Sequence, residues 1–123
     1  MSICVVWIDR ENAKLFEFSH EKMERRNLQS THVDHHTHRF DAIEQRQREQ
    51  TLFSELVTHV SEAPKLLILG PGVAKHRFQN YLTEHFPALA KKVVACEAMD
   101  HPTDSQIAAF ARRYFNLPTP ERF

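Results

Sequence analysis

Apolar positions along the chain fall into short runs separated by polar turns, and the spacing inside each run predicts its element. Ile3 to Ile8 is continuously apolar and is cut off by Asp9-Arg10-Glu11-Asn12, the form of a buried strand followed by a turn. Ala13 to Phe18 reads as a second strand, and Met23 to Gln29, after Ser19-His20-Glu21-Lys22, as a third and more polar one. Four-residue turns between them leave no room for a crossover, so the three strands form an antiparallel meander. The third carries Glu24, Arg25 and Arg26, which suits a sheet edge.

From Ser30 to Arg39 the pattern lapses into a polar, histidine-rich loop. Helical spacing begins at Asp41, where Asp41-Ala42-Ile43-Glu44 is an acidic form of the capping box, and runs to about Glu62, before Pro64. Leu52, Phe53, Leu56, Val57 and Val60 make an apolar stripe, whereas Glu44 to Thr51 is eight polar residues in a row. That first half has nothing to pack on a core and is expected to project past the sheet. It is either a solvated helix supported by pairs such as Glu44 and Arg48 or a partner-facing one.

The second half of the chain has a different grammar. Leu66 to Leu69 is a buried strand closed by Gly70-Pro71-Gly72; Val73 to Phe86 follows as a helix burying Ala74, Phe78, Tyr81, Leu82 and Phe86. Val93 to Cys96 is a further strand, and Thr103 with Gln106 opens a helix through a second capping box. This helix is expected to bury Ile107, Phe110, Ala111 and Tyr114 and to end on Arg112-Arg113, where cations suit the dipole. Strand, glycine turn, helix, strand and capped helix describe parallel crossovers. The expected fold is therefore α/β: one domain over residues 1–117 with a tail over 118–123, a mixed five-stranded sheet and three helices.

Composition narrows the picture. At 123 residues and 41% hydrophobic, the chain is long enough to bury a core without disulfides or metal. Cys4 and Cys96 both sit inside apolar runs, so buried reduced thiols are expected, with a disulfide or a catalytic thiol as alternatives. The apolar N-terminus has no basic lead-in and is too short to span a bilayer. A cytoplasmic location with no membrane partner follows as an expectation.

Sixteen basic residues balance sixteen acidic ones, so nucleic-acid binding would need a local patch. Residues 65–92 offer one, with Lys65, Lys75, Arg77, Lys91 and Lys92 against Glu84 alone. Gly70-Pro71-Gly72 ends a parallel strand, where α/β sheets bind ligands, but it is neither a phosphate-binding loop nor a dinucleotide fingerprint. A tight structural turn is the simpler reading. Lys75-His76-Arg77 then places cations in a first helical turn, where the dipole prefers acids; an anionic partner such as an RNA phosphate would relieve the conflict. Arg39 and Arg46, flanking the start of the first helix, complete the candidate nucleic-acid set of Lys75, His76, Arg77, Lys91 and Lys92.

The loop holds a second candidate. His32, His35, His36 and His38, with Asp34, could supply zinc or nickel ligands, although the spacing matches no established zinc motif. A contact loop for RNA or protein and an untasked polar loop are the alternatives. Asp9, Asp100 and Glu44 invite comparison with metal-dependent nucleases, but the middle strand ends in Gly70, where an acid would be wanted. No nucleophile and base can be paired from the sequence, and no catalytic residues are assigned.

Val6-Trp7-Ile8-Asp9, Leu67-Ile68-Leu69-Gly70-Pro71-Gly72 and Asp100-His101-Pro102-Thr103-Asp104, in this order and setting, resemble the central domain of Pelota and of eukaryotic class-one release factors, in its short bacterial single-domain form. The resemblance covers residues 3–115. It implies a ribonuclease H-like fold of the translational-machinery-component type and a domain that meets the ribosome or tRNA with its first loop and long helix. In release factors that loop carries Gly-Gly-Gln, which promotes peptidyl-tRNA hydrolysis; here Thr31 to Arg39 takes its place without a glycine. Pelota's central domain also lacks the motif and acts in ribosome rescue, so peptide release is not expected. The resemblance thus favours a non-enzymatic translation accessory factor associating with the ribosome or structured RNA. A metal-binding protein using the histidine loop and an interaction module unrelated to translation are the rivals. Oligomeric state is not legible.

Overall fold

The computed structural model describes residues 2–19, 22–29 and 42–117. Five strands form one sheet in the order β3-β2-β1-β4-β5. They are β1 (Ser2–Ile8), β2 (Asn12–Ser19), β3 (Lys22–Gln29), β4 (Lys65–Gly70) and β5 (Val93–Ala98). The first three are antiparallel, with Ile8 opposite Ala13 and Phe18 opposite Met23, while β1, β4 and β5 run parallel. This is the mixed sheet expected, with the charged third strand at one edge.

Strand periodicity sorts the apolar residues to two faces. Cys4, Val6, Ile8, Ala13, Leu15, Leu66 and Ile68 face helices α1 (Ala42–Val60) and α2 (Ala74–His85), which contribute Phe53, Leu56, Phe78 and Leu82. Val5, Trp7, Phe16, Phe18, Leu67 and Leu69 face the last helix, α4 (Asp104–Phe115). Both sides of β1 and β4 are therefore covered, which is why their sequences are continuously apolar rather than alternating.

Three details differ from expectation. A fourth helix, α3 (Pro87–Ala90), is a single turn that starts on Pro87 and buries Leu89. It arises because Phe86 leaves helical geometry at φ −139° and ψ 64°, and proline at a first helical position then restarts the turn. Phe86 is accordingly exposed rather than buried, and Tyr81 is half-buried. On α4 the covered stripe is Ile107, Ala108 and Ala111, while Phe110 is half-buried and Tyr114 exposed. Two alanines let the helix lie close on the sheet. The rings of Phe110, Tyr114 and Phe115 meet one another at the margin instead, with centroids 6.0 and 5.2 Å apart.

The ends of α4 follow the sequence closely. Thr103 and Gln106 form the reciprocal capping box, with hydrogen bonds of 3.1 and 2.9 Å. Asn116 closes the helix in the left-handed region at φ 55°, a conformation asparagine tolerates better than most residues. The cap proposed at Asp41 lies outside the described residues. No helix among those described is long and apolar enough to cross a membrane.

Candidate nucleic-acid interface

The carboxyl ends of β1, β4 and β5 lie side by side, and side chains and backbone there bind the three ends to one another. Gly70 passes so close to β1 that a β-carbon on it would lie 2.1 Å from the carbonyl oxygen of Ile8. Its own carbonyl accepts from Met99 N–H at 3.0 Å. Trp7 donates its indole N–H to the carbonyls of both Met99 and Asp100, each at 3.0 Å. His101 lies against the Trp7 ring, with centroids 5.5 Å apart, and reaches Asp100 Oδ1 at 3.0 Å and Asp9 Oδ2 at 4.0 Å. Asp104, at the start of α4, receives Lys14 from β2 at 3.1 Å and Arg25 from β3.

This wiring places two of the acidic candidates, Asp9 and Asp100. Asp9 Oδ1 accepts from the backbone N–H groups of Glu11 and Asn12 at 3.0 and 2.7 Å, so it shapes the turn as its position suggests. Asp100 has a side chain 90% exposed. Among the described residues there is no group of three or more His, Cys, Asp or Glu able to hold a metal ion. The histidines proposed as zinc ligands, His32, His35, His36 and His38, and the candidate Arg39 lie outside the described residues.

The basic candidates that are described do not form one surface. Lys91 and Lys92 precede β5, and Lys65 opens β4. Lys75, His76 and Arg77 follow the carboxyl end of β4. Parallel strands of six residues separate the two groups by roughly 20 Å, at about 3.3 Å per residue. A positive window in the sequence is thus divided between the amino and carboxyl ends of the parallel strands.

Lys75 departs furthest from expectation. It is buried, with 6% of its surface exposed, and its ammonium donates to the Gly72 carbonyl. Gly72 is in the left-handed region at φ 60°, and α2 has neither a side-chain cap nor an acid in its first turn. The dipole conflict read from Lys75-His76-Arg77 is therefore met in part from within, by a carbonyl oxygen of the preceding turn. His76 is exposed and turned toward β5, with Nδ1 3.8 Å from Cys96 Sγ.

Arg77 and Arg46 do come together. The polar half of α1 runs beside α2, and with the β1–β2 turn the two enclose an open groove of about 440 Å³. Arg10, Arg46, Arg48 and Arg77 line it, with Tyr81 and Phe53 at its floor. Glu11, Glu49 and Glu84 are present as well, so four guanidinium groups meet three carboxylates and the excess is one charge. Arg77 pairs with Glu49 at 3.3 Å across the helices. Tyr81 packs on Phe53 and His85, with centroids 5.3 and 4.8 Å away. Arg10 and His85 escape sequence reasoning because each belongs to a different element; nothing in the linear pattern shows that the β1–β2 turn reaches α1.

Both thiols are free. Burial, with a smaller contribution from Glu17, pushes the Cys4 thiol up to about 12. Burial also raises Cys96, with Glu97 adding to the effect and Lys75 opposing it. Neither has the lowered value of an activated nucleophile.

No family model matches the chain. A 41-residue stretch is 44% identical to the Pelota homologue of Methanosphaera stadtmanae, covering 33% of this chain and 12% of that protein. A 64-residue stretch is 36% identical to the Pelota homologue of Methanococcus vannielii, covering 51% and 18%. The chain thus matches less than a fifth of the length of these curated relatives. Among solved structures, Archaeoglobus fulgidus Pelota superposes with a TM-score of 0.61 at 19% identity, over 91% of this chain and 31% of the other. An archaeal translation termination factor superposes with 0.60 at 18%, over 94% and 40%. The chain is therefore Pelota-like: its fold is one that Pelota and the termination factor share, and part of its sequence is similar to a short stretch of Pelota proteins.

Proposed function

We propose that this chain is a non-enzymatic translation accessory factor that docks on ribosomal or other structured RNA through the groove between α1 and α2. The observation that carries this reading is that Arg46 and Arg77, from helices separated in sequence, line one open groove of a Pelota-like fold. Guanidinium groups hold phosphate oxygens in a bidentate fashion, and the half-buried Tyr81 lines the groove beside them. Arg10 and Arg48 extend the row. Because the groove is close to neutral overall, contacts are specific in place rather than driven by a broad field. Lys75 contributes by holding the Gly72 turn. Ribosome rescue is the occasion this reading favours, since the release-factor Gly-Gly-Gln has no counterpart in Thr31 to Arg39.

The test is co-sedimentation with purified ribosomes, and filter binding to structured ribosomal RNA, across a salt series. Binding should weaken as salt rises, because displacing counterions from phosphates gains less. The double variant Arg46→Glu with Arg77→Glu should bind at least about tenfold more weakly and lower the salt slope by about 2, one for each lost phosphate contact. Lys91→Glu with Lys92→Glu, at the amino end of the parallel strands, should bind RNA as the parent does. Unchanged binding by the arginine variant would remove the groove as the docking surface.

A further inference from the structure

The two edges of the sheet are unlike. On β3 the edge carries Lys22, Glu24, Arg25 and Arg26, all exposed, the charged guarding that keeps edge strands from pairing with other chains. On β5 the edge is Val93–Ala98, Val-Val-Ala-Cys-Glu-Ala, with one charge. A bulge opposite Leu66 and Leu67 leaves Val94 outside the ladder and 41% exposed. Beyond it the strand is regular. Met99 donates to Gly70 on β4, so by strand alternation Ala98 and Cys96 turn their N–H and C=O groups outward, away from β4.

We propose that the chain associates with a second copy of itself through β5, the two strands running antiparallel about a twofold axis at Cys96. A symmetric antiparallel pair must place one residue opposite itself, and Cys96 is the outward-facing residue in the middle of the regular segment. In this register Ala95 meets Glu97 of the partner subunit, and Val94 comes beside Ala98 of the partner subunit. The charges also agree. Lys91 and Lys92 at the start of each strand come alongside Asp100 of the partner subunit; in this chain the Asp100 side chain is 90% exposed, with His101 Nδ1 at 3.0 Å from one of its oxygens. Shifting the axis two residues along would lose this match. Among the described residues the arrangement is closed, because it uses the β5 edge of both copies and leaves the charged β3 edges outward. It also gives a role to Lys91 and Lys92, which lie away from the α1–α2 groove.

One pair of short strands joins little surface, so the complex is weak and reversible. Sedimentation equilibrium on the full chain, from low micromolar to near-millimolar, should show the average mass rising toward that of a dimer and no further. Ala98→Pro removes an outward N–H without touching the ladder to β4, and should remain monomeric at the highest concentration. Lys91→Glu with Lys92→Glu should weaken association severalfold, and adding Asp100→Lys should restore it. If Ala98→Pro fails to fold, the charge reversal and its rescue decide the matter alone. A parent chain that is monomeric throughout overturns the proposal. So does mass growth beyond two copies, or a charge reversal without effect.

Discussion

Trp7 and Asp100 stand 93 positions apart in the chain, yet the indole N–H of the first donates to the backbone carbonyl of the second at 3.0 Å. The same N–H is shared with the Met99 carbonyl, so a single side chain on β1 holds the turn leading out of β5 into α4. Around it the three most distinctive stretches of the sequence meet at the carboxyl ends of β1, β4 and β5, Gly70 against Ile8 and His101 against Trp7. Their distinctiveness is structural. They fasten the end of the sheet beside which α1 begins.

Trp7→Phe keeps most of the buried ring but removes the donor, leaving two carbonyls short of a partner. Loss of such a hydrogen bond costs about 1–3 kcal/mol. Urea unfolding should show that loss as a lower midpoint with an unchanged slope. An unaltered midpoint would mean that the N–H contributes nothing to the turn.

Gly70 and Gly72 should respond very differently to alanine. At Gly70 the new methyl group would meet the Ile8 carbonyl at 2.1 Å, and the central strands would have to part. Gly70→Ala is expected to be insoluble or unfolded. At Gly72 there is open space, and only the left-handed backbone is strained, at about 1–2 kcal/mol. Gly72→Ala should fold with that reduction in stability, measured by the same denaturation.

Asp104 makes stability depend on pH. Partial burial pushes its carboxyl up, but hydrogen bonds and charge from Lys14 and Arg25 outweigh that and hold it below the usual value of 3.8. A carboxylate lowered on folding stabilises the native state above its unfolded value, and that contribution is lost as pH falls through the folded value. Asp104→Asn should therefore be less stable than the parent at pH 7, by about 1 kcal/mol or less for a partly exposed cluster. The two proteins should converge below the ordinary carboxylate range. A difference that persists in strong acid would point to packing instead.

The two cysteines should be distinguishable by a thiol reagent at pH 8. Cys4 is buried and its thiol is pushed up to about 12, so it should react only after unfolding. Cys96 is partly exposed and its thiol is raised, so it should react in the native protein, more slowly than a free thiol. Mass spectrometry of the labelled chain identifies the site. Native labelling of Cys4 would mean that β1 opens readily.

Much of this molecule can be read from its sequence, because hydrophobic periodicity and turn chemistry act over a few residues. Continuous apolar runs in β1 and β4, the capping box of Thr103 and Gln106, and the charged β3 edge are all local facts, and each appears where the pattern places it. The meander followed by parallel crossovers is local too, since turn lengths decide it. What the tertiary structure alone decided is proximity. The positive window from Lys65 to Lys92 is continuous in sequence and divided in space, because the chain traverses the sheet between its members. Lys75 is inside, since its ammonium finds the Gly72 carbonyl at a turn whose geometry no composition reveals. Conversely, Arg10, Arg46 and Arg77 share a groove although three different elements supply them. Such distances follow from how two helices and a turn pack over one end of a sheet, which depends on every layer beneath them.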